Sequence, residues 1–461
     1  MLKRANKNRD SLGTERISTL FWSYCIPAIV ATTASSLYNI IDRIFIGNWV
    51  GPMAISGLAL TFPIMNLAIA FGTLVGAGAA ARVSILMGEG RCEEATQTLG
   101  NALIMNIIIG ISFSIAGLIF LDPILYIFGA SKDTIPYARD FMQIILAGNV
   151  ITHIFFGLNN IMRASGYPTK AMISTLLTVT INVVLAPLFI YNFHWGIRGA
   201  ALATVLSQIV GMIWVLAHFI HKKSAIHFVK SCFKLIHSIL VDIFAIGMSP
   251  FLIHVAACLV TIVMNWQLGK FGGDLAIGAF GIINSVVGLI VMVVFGFAQG
   301  MQPIVGYNWG AKKINRVVKT FMMTILFASL ITTLGFLVAM LAPRQIAHAF
   351  NNDEEFIRLT ANGMRLYLIA FPIVGFQMVT SYFFQSIGKA RISIWLSLSR
   401  QVLCLTPLLF LLPLFWQLNG VWIAPAASDL ISSIITGGVL LHFYLKLWKK
   451  PVKEKSSLKL S

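Results

Sequence analysis

Apolar runs long enough to cross a bilayer recur along the chain, separated by short polar or Gly/Pro breaks. They fall near 17–47, 54–87, 97–120, 135–161, 169–191, 198–220, 238–268, 275–308, 317–341, 356–385, 392–414 and 421–445. A spanning helix needs about 20 mostly apolar residues. The pattern therefore predicts an all-α integral membrane protein with twelve transmembrane helices.

The two halves of this pattern resemble each other at a fixed offset of 222 residues. GNWVGPMAISGLAL from Gly47 lies over GKFGGDLAIGAFGI from Gly269, Gly78 over Gly300, Gly88 over Gly310 and Gly166 over Gly388. Pro27 meets Pro250 after a one-residue slip. Six spans per half make the repeats parallel, as in transporters built from two rocking bundles. The expected organisation is an N-terminal lobe at 1–220, a linker at 221–237 (HKKSAIHFVKSCFKLIH) and a C-terminal lobe at 238–461.

Composition agrees. The chain is 57% hydrophobic and 11% charged, against about 25% charged in soluble domains. The net charge of +18 raises nucleic acid as a partner, but the basic residues sit between apolar runs rather than on one face. With the N-terminus inside, most of the 34 Lys and Arg fall on inner segments and tails. That bias places both termini in the cytoplasm. The cysteines, Cys25, Cys92, Cys232, Cys258 and Cys404, show no metal-ligand spacing, so no zinc site or disulfide framework is expected. The N-terminus has no cleavable signal pattern.

Only Asp42 and Asp429 lie clearly inside spans. A carboxylate at a helix centre costs about 2.5–3.5 kcal/mol on insertion scales, and burial disfavours its charged form. Asp42 ends the first span, with Tyr38 and Asn39 one turn back on the same face. Two readings stand: an interfacial acid near the headgroups, or a residue that loads and unloads a coupling cation. Arg400 is expected to form a structural ion pair with Asp429. His153 and His254 read as packed histidines. Prolines recur within spans, and Pro27 is a candidate hinge for the Asp42 helix.

Several of these stretches resemble the multidrug and toxic compound extrusion (MATE) family, most closely its bacterial MepA-type subgroup. YNIIDRIFIGNWVG resembles the helix 1 signature of the family. IMRASGYPTKAM with INVVLAPLFIYNFHWGIRGAALATVLSQ resembles helices 4 to 6, and FGFAQGMQPIVGYNWGAKK resembles helix 8. The resemblance covers roughly 15–445. It implies two pseudo-symmetric six-helix bundles and a cation site of Asp42, Asn182 and Thr204, aided by Tyr38 and Tyr137. It also implies a second carboxylate on helix 5, where this chain reads Leu185-Ala186-Pro187. Acids that another branch uses in the C-terminal lobe are absent. That lobe offers Asn284, Gln299, Gln302 and Gln377, which together with Asn39 are the candidate cavity residues.

The expected function is secondary active multidrug efflux by H⁺ or Na⁺ antiport, with rocking-bundle alternating access. The chain would be a transporter rather than an enzyme, without cofactor or metal, and would export amphipathic, cationic compounds. It is expected to be a monomer in the bilayer of the bacterial cytoplasmic (inner) membrane. The alternative is a lipid-linked oligosaccharide flippase of the same superfamily, which would need several cationic side chains lining its cavity. A prenyl-lipid enzyme would need clustered acids, which the sequence lacks.

Overall fold

The computed structural model describes residues 11–221, 224–350 and 352–448. Among these the chain is helical nearly throughout. We label α1 Ile17–Trp49, α2 Pro52–Gly88, α3 Cys92–Ile119, α4 Ile135–Ala164, α5 Pro168–Pro187 and α6 Gly196–Ile220. A π-helical turn, Leu188–Asn192, continues α5 where Pro187 ends the regular ladder.

The expected break near 270 is no loop. A helical run covers His237–Gly310 and is interrupted only at Gly273, with φ 66°. Glycine reaches this left-handed region without the Cβ penalty. Gly51, its counterpart at the repeat offset, turns α1 into α2 with φ 111°. The repeat thus preserves turn geometry as well as apolar length. We call the two parts α7 (237–272) and α8 (274–310). α9 is Ile314–Leu341, and α10 is the pair Glu354–Leu368 and Phe371–Ser386, bent by 50°. The run 390–448 contains a π-helical turn at Ser399–Leu405 and a non-helical residue at Gln417, giving α11 (390–416) and α12 (418–448). Among the described residues nine helices are long and apolar enough to span, or ten with the bent pair. Division at Gly273 and Gln417 makes twelve segments.

The apolar cores show how the lobes meet. Ser11 and Trp448 mark one end of the bundle, the terminal end. There a single core joins Leu20, Leu74, Val83 and Phe155 of the first six helices to Ile239, Ile243, Ile304 and Tyr307 of α7 and α8. A smaller one packs Phe21 and Cys25 of α1 on Phe297 of α8. At the far end each lobe has its own core, around Ile46, Phe141 and Ala201 in one and around Met264, Phe280 and Trp422 in the other. The lobes are therefore sealed at the terminal end and independent at the far end.

Glycines permit the seal. A Cβ on Gly88 would lie 1.9 Å from the Tyr307 carbonyl oxygen, and one on Gly310 would lie 2.1 Å from that of Ile85. Gly88 and Gly310, like Ile85 and Tyr307, are counterparts at the repeat offset. The two contacts form a pseudo-symmetric pair in which α2 and α8 meet backbone to backbone.

Candidate functional site

α1 changes partner along its length. Its terminal half lies on α8, where Thr32 Oγ1 donates to the Met292 carbonyl oxygen at 3.2 Å. Its far half belongs to the N-terminal lobe and carries the candidate acid. Pro27 lies in the half that rests on α8, one to two turns before this change.

Asp42 is buried, with 7% exposure, and its Oδ1 accepts no hydrogen bond. One turn earlier, Tyr38 Oη lies 3.2 Å from Thr204 Oγ1 of α6, and Asn182 Nδ2 of α5 donates to the same oxygen at 3.1 Å. Thr204 Oγ1 also lies 3.1 Å from the Ala200 carbonyl oxygen. A hydroxyl has one proton, so Thr204 donates either to Ala200 or to Tyr38, and it accepts from Asn182 in both cases. Three helices are tied together beside a carboxylate that has an unmet acceptor. Ala186 is fully buried in the far-end core of this lobe, so an apolar methyl occupies the position of the second acid that the resemblance implies. Tyr137 packs on that same core, with its Cβ close against Gly57 of α2, and makes no hydrogen bond to the trio.

The C-terminal lobe candidates separate. Arg400 Nε donates to Asp429 Oδ1 at 2.6 Å, and Ser428 Oγ donates to the Arg400 carbonyl oxygen. Arg400 lies on the π-helical turn Ser399–Leu405. Gln299 and Gln302 take part in the seal between lobes: Gln299 Oε1 accepts from Arg163 of α4, and Gln302 Nε2 donates to the Ala77 carbonyl oxygen of α2. Gln377 is buried with its Oε1 unpartnered, whereas Asn284 is exposed. The side chain of Asn39 lies outside the described residues.

Three groups escaped sequence reasoning. Arg163 is on the last turn of α4 and reaches across to α8, steadied by Asn160 Oδ1 at 2.9 Å. Asp242 is inside α7 and pairs with Arg82 of α2, a second polar bond across the same seam. Arg358 and Arg365 stand on the first part of α10. The spacing of Arg358 and Arg365, seven residues or about two turns, was the available signal.

A family model, MatE, matches residues 27–188 and again 250–411, the two halves of the repeat. The multidrug export protein MepA of Staphylococcus haemolyticus (strain JCSC1435) is 26% identical over 436 residues, covering 94% of this chain and 95% of the relative. MepA of Staphylococcus aureus (strain MSSA476) is 25% identical over 404 residues, covering 86% and 88%. Among solved structures, an outward-facing multidrug resistance MATE family transporter of the MOP superfamily superposes with a TM-score of 0.90 at 23% identity, covering 96% of this chain and 99% of that one.

Proposed function

Because the chain belongs to the MatE family of transporters, we propose that it is a multidrug exporter driven by cation antiport, and that the cation is a proton. One observation carries the reading: Asp42 is a buried carboxylate with an unmet acceptor, beside a polar trio that links α1 to α5 and α6. A proton needs one carboxylate. A hard metal cation prefers several oxygen ligands, and here the Thr204 oxygen already accepts from Asn182 and Ala186 supplies nothing.

The basic bias puts the terminal end in the cytoplasm of a bacterial cell, with the far end outside. The sealed terminal end then corresponds to an outward-open state. In that state Asp42 takes up a proton from outside. Protonation removes the buried negative charge at the Asp42 site while the contacts of the trio stay in place. α1 bends near Pro27, substrate leaves, and the lobes close outside and part at the Gly88–Tyr307 seam. One charge moved through 100 mV supplies about 2.3 kcal/mol. The chain works as a monomer, with amphipathic cationic compounds as its cargo.

Efflux of a fluorescent cationic dye from energised cells tests this, comparing wild type with Asp42→Asn at equal expression. Efflux should be lost in the variant. In the wild type it should fall when the proton gradient is collapsed and persist when only the sodium gradient is. Undiminished efflux by Asp42→Asn would overturn the proposal.

A further inference from the structure

At the far end of the C-terminal lobe, three arginines surround one cavity of about 520 Å³. Arg358 and Arg365 stand on one face of α10 with Asn362 between them, at the i, i+4, i+7 spacing that aligns side chains on a helix. Arg344 comes from the short helix Pro343–His348, and Gly272 closes the opposite wall at the α7–α8 turn. The buried face of the same helix segment, through Phe356, Met364 and Leu368, is anchored in the far-end core. The helix that carries Arg358 and Arg365 is therefore held in place, while the side chains of Arg344, Arg358 and Arg365 are exposed. Asn362 is fixed by donating to Asn419 Oδ1 at 3.0 Å.

Charge makes the cavity unusual. Two far-end arginines of the N-terminal lobe are paired, Arg139 with Asp122 and Arg198 with Asp140, while Arg43 is exposed with no ion pair among the described residues. Among the described residues, Arg344, Arg358 and Arg365 have no such carboxylate within ion-pair distance, and the one acid lining the cavity is Glu355. Three like charges around one space repel one another unless an anion sits among them. Guanidinium forks match phosphate oxygens two at a time. A lipid-facing position is close by, since Leu341, three residues before Arg344, is 79% exposed.

We propose that this cavity is a phosphate-binding site, filled either by the phosphate of an acidic phospholipid headgroup or by free inorganic phosphate. It is separate from the Asp42 site and does not depend on the exporter reading. The bound anion ties the Pro343–His348 helix to α10 and the α7–α8 turn.

The test uses the purified full-length chain in detergent. Retention of phosphatidylglycerol against phosphatidylcholine is read by native mass spectrometry, and inorganic phosphate binding by calorimetry. Both are repeated on R358Q/R365Q, with thermal unfolding as the control for folding. Affinity for the true occupant should fall about tenfold in the double variant. A fall for lipid alone identifies the headgroup as the source, and a fall for phosphate alone identifies the free ion. Glu355→Gln, which removes the one opposing charge, should tighten the same binding and decides the matter if the double variant does not fold. Equal binding by wild type and variants, or no binding of either probe by the wild type, would overturn the proposal.

Discussion

Gly88→Ala places a methyl group 1.9 Å from the Tyr307 carbonyl oxygen. Ordinary contact starts at 3.4 Å, so α2 and α8 must separate by about 1.5 Å or bend. The obstacle is main chain, which cannot rotate aside as a side chain would. Gly310→Ala repeats the insult at the pseudo-symmetric contact with Ile85. Forcing a methyl into a well-packed contact costs about 1–3 kcal/mol. If the lobes part at this seam during transport, that cost falls on the sealed state alone. A bias of this size shifts a two-state equilibrium about 5–150-fold. Spin labels at the exposed positions Arg91 and Lys312, in a background without native cysteines, report the separation across the seam. The variant should gain a population with longer distances, and Gly88→Ala/Gly310→Ala should gain more. A lowered unfolding temperature with no new distance would mean that the seam stays shut and that the lobes move elsewhere. An unchanged distribution with unchanged stability would refute the contact itself.

The other predictions concern polar contacts. Arg400→Ala leaves Asp429 buried without its partner, which costs about 3–5 kcal/mol; thermal unfolding in detergent should show it, and R400M/D429L should recover much of the loss. Gln299→Leu deprives Arg163 of its acceptor on α8, so the same spin labels should show a shift in the direction of Gly88→Ala, and no shift would remove Arg163 from the seal. Thr204→Val leaves the Asn182 amide and the Tyr38 hydroxyl without this partner, at about 1–3 kcal/mol each. Dye efflux should slow by tenfold or more, whereas Thr204→Ser should remain near wild type; equal rates in both would separate the trio from coupling.

Apolar run length made the helices legible, because a bilayer imposes length on every segment alike. Gly273 and Gln417 fall inside the expected breaks at 269–274 and 415–420, but each break is a single non-helical residue rather than a loop. The repeat was legible too, but its purpose was not. Gly88 and Gly310 align in the sequence because the halves were copied, whereas they touch opposite lobes because the fold sets the copies face to face. The same blindness hid Arg163 and Asp242. A charge near a helix end reads as a loop residue until a second lobe is placed against it.

The candidate site divides in a similar way. Asp42, Asn182 and Thr204 were found by residue type and resemblance, and the structure brings Asn182 and Thr204 together with Tyr38 beside the acid. What no sequence shows is the hydrogen bonding of the Thr204 oxygen. It accepts from Asn182 and lies 3.2 Å from Tyr38 Oη, so any ligand on it competes with the trio. A metal ion bound through Thr204 would compete with Tyr38 and Asn182 for its oxygen. A proton on Asp42 leaves the trio intact. On the proposed reading the two ions would differ in what binding does to helix packing: sodium would compete with the contacts of the trio, while a proton would leave the N-terminal lobe to move as one body. Rigid motion of whole lobes is what the separate far-end cores allow, and it is the motion that the glycine seam at the terminal end is placed to release.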